Sequence, residues 1–184
     1  MLNTQRNKFH LFLASLLLTS TMQSFAGNKL EIFADITSVG ECEITVSPSN
    51  IEFTRKPAIA EFKPNDAVDL TPIEFEYQCR DYETTVMPEI KVTGSVSSDP
   101  NVFLTPDPTG AKGVGFMLKN GNLPNKLGFY TAGTTLRNNE SFYLPAGSTS
   151  GSQPMTIGFV RQSGNNAVTA GSVKASILFT VVMP

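Results

Sequence analysis

Apolar and polar residues alternate along most of this chain, and the alternation has a period of two. Ile73, Phe75, Tyr77 and Cys79 fall on one side of a segment whose other side carries Glu74, Glu76 and Gln78. Period two is the side-chain repeat of a strand with one buried face. The same pattern predicts strands over residues 42–46, resuming at 51–53 after Pro48-Ser-Asn50, and over 89–94, 114–118, 141–144 and 155–161. Two further alternating segments stand towards the ends. One is Leu30-Glu-Ile-Phe-Ala-Asp-Ile36. In the other, Ser172–Val181, the residues Val173, Ala175, Ile177, Phe179 and Val181 alternate with small or polar neighbours. No strand follows this last one in the sequence, and an edge without cover invites pairing with another chain.

Turn residues punctuate the strands. Pro57, Pro64, Asn65 and Asp66 predict that 55–69 is a loop crossing between sheets, and 95–113 and 146–153 read as Gly-, Pro- and Ser-rich loops within one domain. Asn120-Gly121 predicts a tight turn. Helical periodicity is almost absent. Many short strands with frequent turns describe an all-β sandwich.

Composition narrows the function. Arg6 and Lys8, the apolar run Leu11–Leu18 and the small-x-small triplet Ser24-Phe-Ala26 make residues 1–26 a secretory signal peptide. The apolar run is far shorter than the roughly 20 residues that span a bilayer. Cleavage leaves residues 27–184, a length of 158 that suits one domain with its own core. Twelve basic residues then face sixteen acidic ones, a net charge of −4 with no like-charge block, which disfavours nucleic acid as a partner.

His10 is the one histidine and leaves with the signal. Without it no Ser-His-Asp or Cys-His arrangement can form, and no histidine-containing zinc site. No catalytic residue, metal site or cofactor is therefore expected, and the chain does not read as an enzyme. Cys42 and Cys79 remain, and an even count in an exported protein predicts a disulfide between them. Other chemistry-bearing residues have plainer readings. Glu74 and Glu76 belong to a solvated strand face. Asp99-Pro-Asn101 and Asp107-Pro-Thr-Gly110 are turns without the oxygen series of a calcium loop. Tyr82, Tyr130 and Tyr143 form no aromatic cluster for a sugar.

Phe159-Val-Arg161, a Gly/Asn-rich turn, Val168-Thr-Ala-Gly-Ser-Val-Lys-Ala175 and Phe179-Thr-Val181 closely resemble the ending of chaperone–usher pilus subunits of the type 1 and P pilus kind. Gly113-Val-Gly-Phe-Met-Leu118 resembles the family's mid-domain strand, and both cysteines fall in the family's order.

The resemblance implies an incomplete immunoglobulin-like β-sandwich that lacks its last strand, with a pilin domain over 41–184 and a donor-strand extension over 27–40. It implies an acceptor-groove strand carrying Val173, Ala175, Ile177, Phe179 and Val181. A periodic exchange of partners fills that groove: a periplasmic chaperone strand first, then, at the outer-membrane usher, the extension of a neighbouring subunit, the same or different. This donor-strand complementation is a known form of β-augmentation. The donor residues would be Leu30, Ile32, Ala34 and Ile36. A one-residue slip would instead present Phe33 and Asp35, burying a carboxylate. Pro184 would offer its carboxylate as the chaperone anchor.

The chain departs from the family at three points. Its ending, Val182-Met-Pro184, lacks the usual penultimate aromatic; Ala34 stands where glycine is usual; and Phe33 stands where a polar residue is common. The function implied is a structural or adaptor subunit of a bacterial surface fimbria, reached through the periplasm and contributing to adhesion. The alternative is a single-domain adhesin that binds a receptor. Intact-mass measurement of the exported protein should give a chain beginning at Gly27; a mass retaining residues 1–26 would contradict the signal.

Overall fold

The computed structural model describes residues 40–81, 85 and 87–183. The signal sequence, the donor segment with Leu30, Ile32, Ala34 and Ile36, and Pro184 lie outside the described residues.

Among the described residues, eight strands form two antiparallel sheets. They are β1 (Glu41–Ser47), β2 (Ala67–Arg80), β3 (Glu89–Gly94), β4 (Val114–Asn120), β5 (Thr134–Leu136), β6 (Ser141–Tyr143), β7 (Ser150–Arg161) and β8 (Ile177–Val182). One sheet has the order β1-β2-β7-β4-β5, and the other β6-β3-β8. The fold is the incomplete immunoglobulin-like sandwich that the resemblance implied. One 3₁₀ turn, Ile59–Glu61, interrupts the long crossing from β1 to β2.

The period-two pattern builds the core between the sheets. On β2, Ile73, Phe75, Tyr77 and Cys79 are buried, and they meet Ile90 and Val92 of β3. Leu118, Met155 and Leu144 complete the same cluster. Phe75 packs edge-on against Phe142, with ring centroids 5.4 Å apart. Cys42 sits opposite Cys79 in the β1–β2 register, and the two form the expected disulfide. It closes a loop of sequence separation 37, which in the chain-entropy picture is worth about 4 kcal/mol.

Several expectations are corrected. Residues 150–153 form the start of β7 rather than a loop, paired with Phe75–Gln78. Their small polar character has a packing reason: a Cβ at Gly151 would lie 2.5 Å from the Tyr77 hydroxyl. Asn120-Gly121 does turn the chain, with Gly121 at φ +94°, but no two-residue hairpin follows. The chain instead runs from Gly121 to Gly133 before β5, and Phe129 of this segment covers Gly158, where a Cβ would clash with the edge of the ring. β5 itself was not expected; three residues are too few to show a period. Pro72 and Pro154 are tolerated in strands because each lies beyond the end of one neighbour: β1 pairs β2 only from Glu74, and β4 pairs β7 only from Met155.

Two buried charges tie the loops down. Lys119, 1% exposed, donates to the Tyr130 carbonyl at 2.9 Å and to Thr135 Oγ1 at 2.7 Å. Burial, and then the charge of Arg137, brings its pKa down to about 8. Asp99, 2% exposed, is the centre of the other site. It accepts from the Tyr130 hydroxyl at 2.6 Å and from the Ser163 and Asn101 amides at 2.7 and 3.0 Å. Burial raises its pKa, but these donors outweigh burial and hold the carboxyl below its ordinary value. A carboxylate with a depressed folded pKa stabilises above its unfolded pKa of about 3.9 and loses that contribution as pH falls through the folded value. Asp99→Asn should therefore cost about 1.5–3 kcal/mol in urea unfolding at pH 7. The gap to the unaltered protein should shrink as pH falls below about 4.

Candidate functional site: an open groove between the first and last strands

β1 and β8 each end their sheet, and the hydrogen bonds of the strands beside them fix which way their main chains face. On β3, Val92 bonds towards the β6 side through Glu140 and Asn139, so its N–H and C=O turn away from β8. Its register partner Phe179 is therefore a non-hydrogen-bonded partner, and its own main-chain groups point to the open edge. Ile177 and Val181 share that direction, while Leu178, Thr180 and Val182 bond to β3. On the opposite side Cys79 donates to Thr149, so its partner Cys42 faces away from β2. Ile44 and Val46 face the same way. Two rows of main-chain donors and acceptors thus look into one gap.

Side chains follow the predicted alternation. From Val173 to Val181 the odd-numbered residues are half-buried and the even-numbered ones exposed. Residues 41–47 alternate in the same way. The gap narrows at one end, where Cys42 Sγ lies 3.8 Å from Met183 Sδ. It opens towards the other end as two adjoining cavities of about 440 and 500 Å³. The first is lined by Val46, Ile51, Ile73, Leu118, Ile157, Ala175, Ile177 and Phe179 among others, and the second by Pro57, Ile59, Phe62, Val114, Phe159 and Val168. Ile51, Phe53, Phe116 and Val173 border both, so the two are one continuous groove. Its floor is aromatic: Phe53 stacks on Phe116 at 5.4 Å, Phe116 on Phe159 at 5.0 Å, and Phe62 meets Phe159 edge-on at 5.0 Å.

Two expected strand segments are not strands. Ile51–Phe53 and Ser172–Ser176 keep the in–out alternation but belong to no ladder, and β8 begins only at Ile177. The reason is that each borders the gap. Alternation places their side chains, but a ladder needs a neighbour on the gap side. Thr105 and Ala111 anchor the second segment by donating to the carbonyls of Lys174 and Ser172.

Of the acceptor residues named from sequence, Val173, Ala175, Ile177 and Phe179 line the groove. Val181 packs against the central core beyond the wide part of it. The opposite wall, Ile51, Phe53 and Pro57, and the aromatic floor were not singled out. The Ile51-Glu-Phe53 alternation was the available signal. The floor and walls are apolar, with ionisable groups such as Glu52, Arg55, Lys56 and Lys174 confined to the rim. Such a groove suits the seating of alternate apolar side chains and main-chain pairing, not bond-making chemistry.

No protein-family model matches the sequence, and no curated protein matches it. Solved structures do. A chaperone–usher pilus, determined to explain rod uncoiling, superposes with a TM-score of 0.53 at 10% identity, over 86% of this chain and 97% of that one. A Burkholderia pseudomallei antigen and type I fimbria protein gives 0.50 at 13% identity, over 78% and 99%. The CupB6 tip adhesin of Pseudomonas aeruginosa gives 0.47 at 19% identity over 66% of this chain, which spans a third of that protein's length. The fold is thus the pilin sandwich of chaperone–usher pilus subunits.

The main-chain geometry has a direct readout. In amide hydrogen exchange with the groove empty, Ile177, Phe179 and Val181 should exchange fast while Leu178 and Thr180 are protected. Occupation of the groove should slow the first set and leave the second unchanged. Equal protection of all five in the empty chain would contradict the assigned register.

Proposed function

We propose that this chain is a subunit of a bacterial surface fimbria, built by donor-strand complementation and exchange, and that the groove between β1 and β8 is its acceptor site. The observation that carries this reading is the double row of main-chain groups facing an apolar gap between the edges of the two sheets. Unpaired buried amides and carbonyls are costly, so the gap demands a strand. A carbohydrate or other small ligand would satisfy few of them.

The chain's own segment around Leu30–Ile36 has the matching pattern. Leu30, Ile32, Ala34 and Ile36 are apolar at alternate positions, and a strand that inserted them would turn Glu31 and Asp35 to solvent. Three large aliphatic side chains at roughly 1.5–3 kcal/mol each give on the order of 5–9 kcal/mol gross, before ordering costs. Main-chain pairing along Ile177–Val181 adds to this. A chaperone strand occupies the groove in the periplasm, with Pro184 as its carboxylate anchor, and the usher exchanges it for a neighbour's extension. The protein then ends at the cell surface.

Expression of the mature chain with and without residues 28–38, together with its periplasmic chaperone, tests the reading. Both forms should co-purify with the chaperone, and only the longer form should add onto a neighbouring subunit. A stable chaperone-free monomer that never assembles would sink the proposal.

A further inference from the structure

The two ends of the groove carry opposite charge, and a donor segment seated in another copy's groove would bring those ends together. Resting on the donor-strand reading above, we infer that a second copy of this chain docks head-to-tail by charge. The acidic start of its β1–β2 pair would seat on a basic rim at the wide end of the groove.

Direction comes first. β1 and β8 run oppositely, since the start of β1 meets Met183 beyond the end of β8 while Phe53 and Val173 share the wide end. Residues 37–40 alone separate Ile36 from β1, a reach of at most about 18 Å over the five peptide steps from Ile36 to Glu41. If the segment entered its own groove, Ile36 would have to stay at the narrow end, and the strand would run parallel to β8. In another chain's groove it is free to run antiparallel. Both ladders already made by β3 are antiparallel, and antiparallel pairs are slightly more stable per residue. An antiparallel donor leaves at the wide end, beside Val173. Its own β1 then begins within the tether's reach of that exit, where Gly40 turns the chain at φ +74°.

Charge comes second. At the wide end, Lys56 and Lys174 border the groove, Lys112 lies beside Ser172, and Arg161 reaches the Asn166 carbonyl. Among the acids there, Glu61 is paired with Arg55 at 2.7 Å, whereas Asp107, held by the neutral Thr109 amide and hydroxyl at 2.8 Å each, keeps its charge. Four cations therefore face two unpaired carboxylates, Glu52 and Asp107. At the start of β1 the balance reverses. Glu41 lies across from Arg80 and is bonded to it at 2.8 Å, while Glu43, Glu76 and Asp81 are exposed around them. Complementary fields of this kind speed encounter and set orientation more than they add affinity.

The test uses the mature chain bound to the chaperone with which it co-purifies. It is challenged either with a synthetic peptide of residues 28–38 or with a second full-length copy. Reversal of the rim at positions that do not line the groove (Lys112→Glu with Arg161→Glu) or of the acidic end (Glu41→Lys with Glu43→Lys) should slow chain-on-chain addition about tenfold at low salt. Neither should change peptide entry into the groove. Mixing rim-reversed acceptor with acid-reversed donor should restore the rate, and raising salt to about 0.3 M should erase the differences. Chain-on-chain addition indifferent to both reversals and to salt overturns the inference. So does entry of the peptide with no addition of a second copy. In both cases the donor-strand reading survives. Failure of the peptide to enter overturns that reading, and this inference with it.

Discussion

The groove of this molecule depends on main-chain donors and acceptors that the fold directs at a space the described residues do not fill. Antiparallel pairing makes alternate residues of a strand turn their N–H and C=O to opposite sides. On β8, the residues bonded to β3 are Leu178, Thr180 and Val182, which leaves Ile177, Phe179 and Val181 facing the gap. On β1, Cys42 is committed to the gap by the same rule, because Cys79 is already bonded to Thr149. The same odd-numbered residues point their side chains inward, so one strand inserted here would find main-chain partners and apolar pockets together.

The rest of the sandwich holds that gap open and shapes it. The Cys42–Cys79 disulfide ties β1 to β2, and Met183 beyond β8 rests against Cys42, so packing across the gap closes its narrow end. At the wide end the stacked rings of Phe53, Phe116 and Phe159 keep a floor beneath segments that lack a ladder. The Asp99 cluster works at a distance. By binding Tyr130, Asn101 and Ser163 it joins three loops, one of which leads out of β7 towards Val168 and the groove wall. Burial of a charge is acceptable there because every strong acceptor position is met by a donor.

Much of this was legible in the chain. β3 follows the alternation of Glu89–Gly94 residue for residue, and the inward row of β2 was readable as Ile73, Phe75, Tyr77 and Cys79. The disulfide followed from two cysteines and an export signal. Less legible were features whose cause lies far away in sequence. Ser150–Gln153 looks like a loop until it is seen to pair with Phe75–Gln78, with Tyr77 leaving no room for a Cβ at Gly151. Asp99 looks like a turn residue until Tyr130 and Ser163 arrive from 31 and 64 positions away.

The sequence by itself determined which side chains face inward, because period two is a local consequence of extended backbone and needs no partner. It named Val173, Ala175, Ile177 and Phe179 as one wall in this way. Only the tertiary structure decided which alternating segments obtain a ladder and which are left beside a gap. Ile51–Phe53 and Ser172–Ser176 carry the same pattern as β3 and yet join no ladder among the described residues. A hydrogen-bonded neighbour is a non-local property, set by how β1 and β8 come to stand at the edges of two different sheets.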